Sequence, residues 1–145
     1  ELGRAEVALD DLLEVEAFRL QLAFLRGCVA LARALRDPGL RGAVRDRAAE
    51  LEDSDAPWAR GWAWLLRGSL AADEGRRSDA ESALLRARGA FAAADMEIYA
   101  QVARRALGVL RDSAAEVDAA DAWMRGQRVA NPARVAWMLC PTPTR

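Results

Sequence analysis

Hydrophobic and polar residues follow one another along this chain with the three- and four-residue spacing of amphipathic helices. Between positions 4 and 36, the apolar positions at that spacing are Leu20, Phe24, Gly27, Leu31 and Leu35. Because no proline interrupts this stretch, the pattern predicts one long helix, or two helices with an unmarked join. The tripeptide Asp-Pro-Gly at 37–39 predicts where the element ends, since the residue before a proline disfavours helix.

Helix-start and helix-stop signals divide the rest of the chain into six further predicted helices. Their predicted spans are 40–51, 58–73, 78–94, 96–111, 114–127 and a short segment from 132. Pro57 and Pro132 suit the first position of a helix, and Gly75 suits the position just beyond a helix end. The side chains predicted to cap helix starts are those of Ser78, Asp95, Ser113 and Asn131.

The stretch from Trp58 to Ala94 has the residue spacing of one tetratricopeptide-like helix-turn-helix unit. Counting Gly61 as position one, the residues at positions 4, 8, 11, 15, 20, 24 and 27 are Trp64, Gly68, Ala71, Gly75, Ala80, Leu84 and Ala87. Antiparallel helices approach closely only where a small residue faces the partner helix, so Gly68, Ala71 and Ala80 are predicted at the crossing. The larger members of the set are predicted to fill the space around it.

A second copy of this spacing follows at an offset of 35 residues. It places Tyr99 where the first copy has Trp64, and small residues where the first copy has small residues. The sequence at 113–116 also repeats a capping box predicted at 78–81, in which a Ser and a Glu three residues later cap one helix start.

These patterns predict an all-α fold of antiparallel helix-turn-helix repeats, a tetratricopeptide-like solenoid of about six to seven helices in one domain over 1–145. The predicted divisions are N-terminal helices at 1–56, repeats at 57–94 and 95–127, a capping helix at 131–140 and a frayed tail at 141–145. A capping helix is expected because the last repeat would otherwise expose an apolar face. The tail is expected to fray because two of its five residues are proline.

Composition excludes several kinds of chemistry. The chain has no His, which removes imidazole general bases, Ser-His triads and His-ligated metals. A formal net charge of −1 gives no bulk reason to expect nucleic acid or a membrane surface as partner. Cys28 and Cys140 lack the spacing of a metal or redox motif. They are interpreted as reduced thiols of a cytoplasmic protein, the alternative being a bridge between the last segment and the first long helix.

No long apolar run or signal peptide occurs in the sequence, and no catalytic residue, cofactor or metal site is predicted. The chain begins with Glu rather than Met, from which we expect a piece of a larger protein.

A candidate partner groove follows from the predicted repeats, because the first helices of successive repeats line the concave face of such a stack. The residues at these positions are Trp62, Leu65, Ser69, Glu97, Gln101 and Arg104. An aromatic ring beside an acid and an Arg is typical of a groove for a peptide or a partner helix. The alternative is that Trp62 packs against the preceding helix and the charges are solvated. Trp58 and Trp62 lie one turn apart and form a candidate docking face.

The second half of the chain resembles the C-terminal end of large bacterial signalling proteins. The resemblance lies in the segments Asp95 to Ala100 and Ala103 to Gly108, then in Ala122-Trp123-Met124 with Gln127, Val129, Asn131-Pro132 and Arg134. Such proteins fuse a Ser/Thr kinase and a STAND-type ATPase module to a tetratricopeptide-like helical tail. Neither the kinase motifs nor a Walker loop occurs here, so the resemblance implies a sensor or scaffold arm without catalysis.

The function predicted from the sequence is therefore a non-catalytic interaction or regulatory domain, the helical tail of a bacterial signalling protein. Its predicted partner is a protein or peptide, including the upstream domains of its own parent chain. The alternative is a helical domain that senses a small molecule or associates with a second copy of itself as a homodimer.

Overall fold

The structure, a computed structural model, describes the backbone of residues 2–142 and the side chains of residues 12–142. The described part is all-helical, with seven α-helices and no strand. The helices are α1 (Leu2–Ala34), α2 (Arg41–Glu52), α3 (Pro57–Asp73), α4 (Arg77–Ala93), α5 (Glu97–Leu110), α6 (Ala114–Gly126) and α7 (Pro132–Leu139), with one 3-10 turn at Pro38–Leu40. Of the two alternatives predicted for the first stretch, the structure has the single long helix, and its predicted end before Pro38 is confirmed.

The helices pack in two layers. Each helix contacts the next one along the chain, from α1 on α2 to α6 on α7. The odd-numbered helices also contact one another in order, α1 with α3, α3 with α5 and α5 with α7, whereas within the described residues the even-numbered helices do not. The odd-numbered helices therefore form one layer, here called the inner layer, and α2, α4 and α6 form a second, here called the outer layer. Because α7 also contacts α1, it returns the end of the chain to its first helix.

Small residues lie where the layers approach most closely. A Cβ atom added to Gly68 would lie 2.8 Å from Cγ of Leu84, and one added to Gly61 would lie 2.7 Å from Cε1 of Phe91. The predicted helix crossing at Gly68 is therefore confirmed. Trp64 lies half-buried against the core, and its ring also carries the guanidinium of Arg86 from α4, 4.7 Å from the ring centre.

The last four helix connections share one backbone turn. The residues with left-handed backbone are Gly75, Asp95, Asp112 and Arg128, whose φ angles lie between 55° and 74°. In each turn, this residue and the next donate backbone hydrogen bonds to carbonyls of the preceding helix, the arrangement of a Schellman motif. The predicted role of Gly75 is confirmed, and in the other three turns a residue other than glycine takes the same left-handed position.

This turn corrects two of the predicted caps. The N-cap of α6 is Ser113, whose Oγ accepts from the backbone N–H of Glu116 at 3.4 Å, and the predicted Asn131 cap of α7 is also present. Ser78, however, lies inside α4 and caps nothing, because the turn is complete at Gly75 and the helix begins two residues later. Asp95 is likewise the left-handed turn residue rather than the N-cap of α5. Aligning the turns at Gly75 and Asp112 gives an offset of 37 residues rather than 35.

The C-terminal segment differs from the predicted frayed tail where the structure describes it. Pro141 is buried, and its carbonyl accepts a hydrogen bond from the hydroxyl of Ser69 on α3. Residues 143–145 of the predicted tail lie outside the described part. The chain thus ends its described course against the inner layer.

Candidate functional site

An aromatic cluster lies where the inner helices meet. Trp62 of α3 stacks on Phe24 of α1 with ring centres 4.8 Å apart and planes 8° from parallel. Tyr99 of α5 meets the same Trp62 ring edge-on at 5.6 Å, and Trp58 meets it edge-on at 5.0 Å. Stacked and edge-to-face pairs at these distances are favourable, so the cluster ties α1, α3 and α5 together.

This cluster decides how much of the candidate docking face is accessible. Trp62 is only 4% exposed, because Phe24, Trp58 and Tyr99 surround its ring. Trp58 is half-buried and keeps part of its ring at the surface. Trp62 is packed inward, as in the alternative weighed from the sequence, but its ring stacks on Phe24 of α1, whereas that alternative named the preceding helix, α2.

The α3 row of the candidate groove faces the end of the chain. Leu65 and Ser69, three and seven residues after Trp62, are both completely buried. The Ser69 hydroxyl donates to the Pro141 carbonyl, while the Cys28 thiol of α1 donates to the Leu139 carbonyl at 3.4 Å. Two inner helices therefore hold the main chain of the C-terminal segment at two carbonyls that are two residues apart.

The α5 row is more polar and more open. Glu97, Gln101 and Arg104 follow one another at spacings of four and three residues, which places them on one side of the helix. The amide Nε2 of Gln101 donates to Oε1 of Glu97 at 2.6 Å. Glu97 is exposed, whereas Gln101 and Arg104 are half-buried. This row can present hydrogen-bonding groups beside the apolar α3 row.

Two residues of the α5 row carry buried polar atoms without a hydrogen-bond partner among the described residues. The atoms are Gln101 Oε1 and Arg104 Nε. An unsatisfied buried polar group costs roughly 1–3 kcal/mol. The α5 row can therefore make further hydrogen bonds, whereas the buried indole of Trp62 on α3 faces the Tyr99 side chain.

The two thiols of the chain meet at the C-terminal segment and are both free. Burial raises the pKa of Cys140 to about 12, and burial together with the neighbouring Cys140 raises the pKa of Cys28 well above its usual range. Both side chains are therefore protonated at neutral pH, which makes the Cys28 thiol a donor to the Leu139 carbonyl. Among the described residues no group of acids and thiols is placed to hold a metal ion.

Sequence reasoning missed two features of this region. The first is the C-terminal segment as occupant of the inner face, for which the signals were the pair of prolines that keeps it out of a helix and the alternative of a bridge from Cys140 to Cys28. The structure brings these two residues together but leaves both thiols free. The second is a cleft of about 530 Å³ between α5, α6 and α7, with Val102, Val109, Val117 and Trp137 among its apolar walls. Arg105 also borders this cleft and is held by Asp121 at 2.8 Å.

Comparison with known proteins adds no relative. No protein-family model matches the chain, and neither a curated protein nor a solved structure matches it. None of the helices in the described part is both long and apolar enough to cross a membrane. The function is therefore argued from the inner face itself.

Proposed function

We propose that this chain is a non-catalytic, tetratricopeptide-like helical domain whose inner face binds an extended peptide segment of a partner protein. The observation that carries the proposal is the pair of hydrogen bonds from Ser69 and Cys28 to main-chain carbonyls of residues 141 and 139. Ser69 and Cys28 thus bind main-chain atoms of the segment rather than its side chains, as peptide-binding grooves do. The C-terminal segment of the chain acts as the resident ligand of its own groove.

The unpartnered polar atoms support the same role for the neighbouring α5 row. A peptide that follows α5 offers a carbonyl to Arg104 Nε and an N–H group to Gln101 Oε1. The apolar floor of Leu65 excludes water, which strengthens such hydrogen bonds. The peptide class favoured by this arrangement is an extended segment that contains proline, like the segment already seated there.

The wider setting of the proposal rests on the sequence resemblance. A helical tail of a bacterial signalling protein, working in the cytoplasm, would use such a face to hold a partner or an upstream domain of its own parent chain. Occupation by the C-terminal segment would then keep the face closed until a competing peptide displaces it.

Peptide binding to a chain that ends at Leu139 tests the proposal. This truncation keeps all seven helices, and circular dichroism checks that they form. A fluorescent peptide with the sequence of residues 140–145 should bind the truncated chain and bind the full chain at least about tenfold more weakly, because the attached segment competes at high effective concentration. Ser69→Ala in the truncated chain should weaken binding about five- to tenfold. A folded truncated chain that does not bind the peptide would contradict the proposal.

A second candidate function is favoured by the cleft between α5, α6 and α7. Its volume of about 530 Å³ lies in the range of small-molecule sites, and its walls are mainly apolar with Arg105 and Asp118 at the border. A small apolar ligand with one polar group fits this description. Thermal-shift screening would separate the two functions, since Ala133→Trp should abolish such a ligand's effect and leave peptide binding to the Ser69 region intact, because Ala133 lines the cleft from α7 and does not border Ser69.

A further inference from the structure

The first helix carries an apolar stripe that the described body of the protein does not cover. Its members are Val15, Phe18, Leu22, Leu25 and Val29, here called the α1 seam. Phe18 is 67% exposed, and four of the five residues rank among the exposed large hydrophobics of the chain. An exposed apolar row of this length marks an interaction surface rather than an ordinary solvated face.

The seam lies on the opposite side of α1 from the protein core. The buried residues of the helix include Leu20, Phe24, Leu31 and Ala34. At 100° per residue, the mean direction of the buried row is about 180° from that of the seam. A partner helix on the seam therefore meets α1 without displacing any helix of the body.

The spacing of the seam identifies the kind of partner. Its residues are separated by three, four, three and four positions, the a and d positions of a heptad repeat, with Val15, Leu22 and Val29 at a. A 3.5-residue apolar repeat predicts knobs-into-holes packing against a second helix with the same repeat. An α1 helix from another copy supplies such a helix and makes the contact self-complementary about a twofold axis.

The charges beside the seam select the orientation. Arg19, Arg26 and Arg33 occupy the e positions, whereas Glu14 and Gln21 occupy g positions. An antiparallel pair sets the e rows of both helices against each other, which opposes Arg to Arg, with the charge of Arg19 partly offset by its pairs to Glu16 and Glu50. A parallel pair sets each e row against the partner's g row, where Glu14 faces an Arg and Gln21 faces another.

We infer that α1 pairs through its seam with α1 of a second copy of this chain, forming a parallel two-stranded coiled coil. The bodies of the two copies lie on opposite sides of the coil, because the core faces of the two helices point away from the twofold axis. The seam from Val15 to Val29 covers only two heptads, about 21 Å of helix. Such a short contact predicts a reversible dimer with micromolar affinity.

Sedimentation equilibrium of the full chain over a wide concentration range tests the inference. The wild-type chain should show a monomer–dimer equilibrium, and Leu25→Glu should raise the dissociation constant at least about thirtyfold, because the twofold axis places the charge in the seam twice. Leu85→Glu is the matched control, since Leu85 on α4 is 44% exposed and Leu25 is 45% exposed. This control should leave the equilibrium unchanged.

Several results would overturn the inference. If the chain stays monomeric at every concentration, the inference is wrong. The seam would then bind a different partner, such as a helix of another protein or of an upstream domain. A dimer that Leu25→Glu does not weaken uses another surface. Orientation is tested by Phe18→Cys with copper phenanthroline as oxidant, which should give a cross-linked dimer. In a dimer shown to use the seam, absence of this cross-link would contradict the parallel arrangement, because antiparallel pairing about the seam centre separates the two positions by about 16 Å.

Discussion

At the scale of single residues, close helix contacts depend on the absence of a side chain. Gly68 lets α3 approach α4 so closely that Leu84 occupies the space a Cβ atom would need. Gly89 on α4 differs, because a Cβ atom added there would meet no atom within 4 Å. Two helical glycines of one chain therefore predict opposite responses to the same substitution.

Gly68→Ala should lower the free energy of unfolding by about 1–3 kcal/mol, because the added methyl group forces α3 and α4 apart. Gly89→Ala should raise it by roughly 0.5–1 kcal/mol, since Ala favours helix over Gly when space is free. Urea unfolding followed by circular dichroism measures both values. Equal effects of the two substitutions would be inconsistent with the crossing at Gly68.

The buried thiols predict a pH dependence of stability. The raised pKa of Cys140, about 12 in the folded chain, exceeds the usual value of about 8.5 expected after unfolding. Between these two values the unfolded chain has released the thiol proton and the folded chain has kept it. Stability should therefore be fully present below about pH 8.5 and fall by up to about 1.4 kcal/mol per pH unit above it.

Urea unfolding at pH 8 and pH 10.5 measures this loss, with Cys140→Ala as the comparison. The variant should be less stable than the wild type at pH 8 because it leaves a small cavity, and it should lose less stability between the two pH values. A wild-type chain equally stable at both pH values would show that Cys140 reaches solvent.

At the scale of helices and turns, the same backbone turn connects four successive pairs of helices, and only one of the four has glycine at the left-handed position. The left-handed turn position is Gly75 in the first case and Arg128 in the last. A side chain in this conformation costs roughly 1 kcal/mol, which glycine avoids. Replacing the left-handed residue by glycine in the other turns should therefore raise the free energy of unfolding.

Arg128→Gly should stabilise the chain by about 0.5–1 kcal/mol, because it relieves the left-handed strain at an exposed position. Gly75→Ala should destabilise it by about 1 kcal/mol for the converse reason. Thermal unfolding of both variants measures the pair. A destabilising Arg128→Gly would mean that the Arg side chain makes a contact worth more than the strain.

Most of the helical architecture could be predicted because amphipathic spacing, Pro57, Pro132 and Gly75 are local signals. The caps at Ser78 and Asp95 were predicted wrongly because a Ser or Asp near a turn suits several positions of it. Only the backbone turn, completed by hydrogen bonds to the preceding helix, decides which position each residue takes.

In the candidate groove too, part of the arrangement could be predicted from the sequence and part could not. Its rows on α3 and α5 follow from helix periodicity, which is why Ser69 and Gln101 could be assigned to inner positions. The stacking of Trp62 on Phe24 and the seating of Pro141 join residues 38 and 72 positions apart. Contacts at such separation depend on tertiary packing, which no local pattern in one sequence encodes.

At the scale of the whole molecule, the end of the chain returns to its beginning. The segment after α7 lies against α1 and α3, so the inner layer is closed by the protein's own main chain. In the proposed function this closure makes partner binding a competition between two peptides for one face. The α1 seam lies outside this face, so self-association and peptide binding can occur in the same molecule.

Reaction of the thiols with Ellman's reagent in the native full chain tests the central claim most directly. Because Cys28 lies beneath the seated C-terminal segment and Cys140 is buried within that segment, their modification should be at least about a hundredfold slower than in the urea-unfolded chain, and Ser69→Ala should accelerate it. Rapid modification of both thiols in a chain that is folded by circular dichroism would show that the segment does not occupy the inner face.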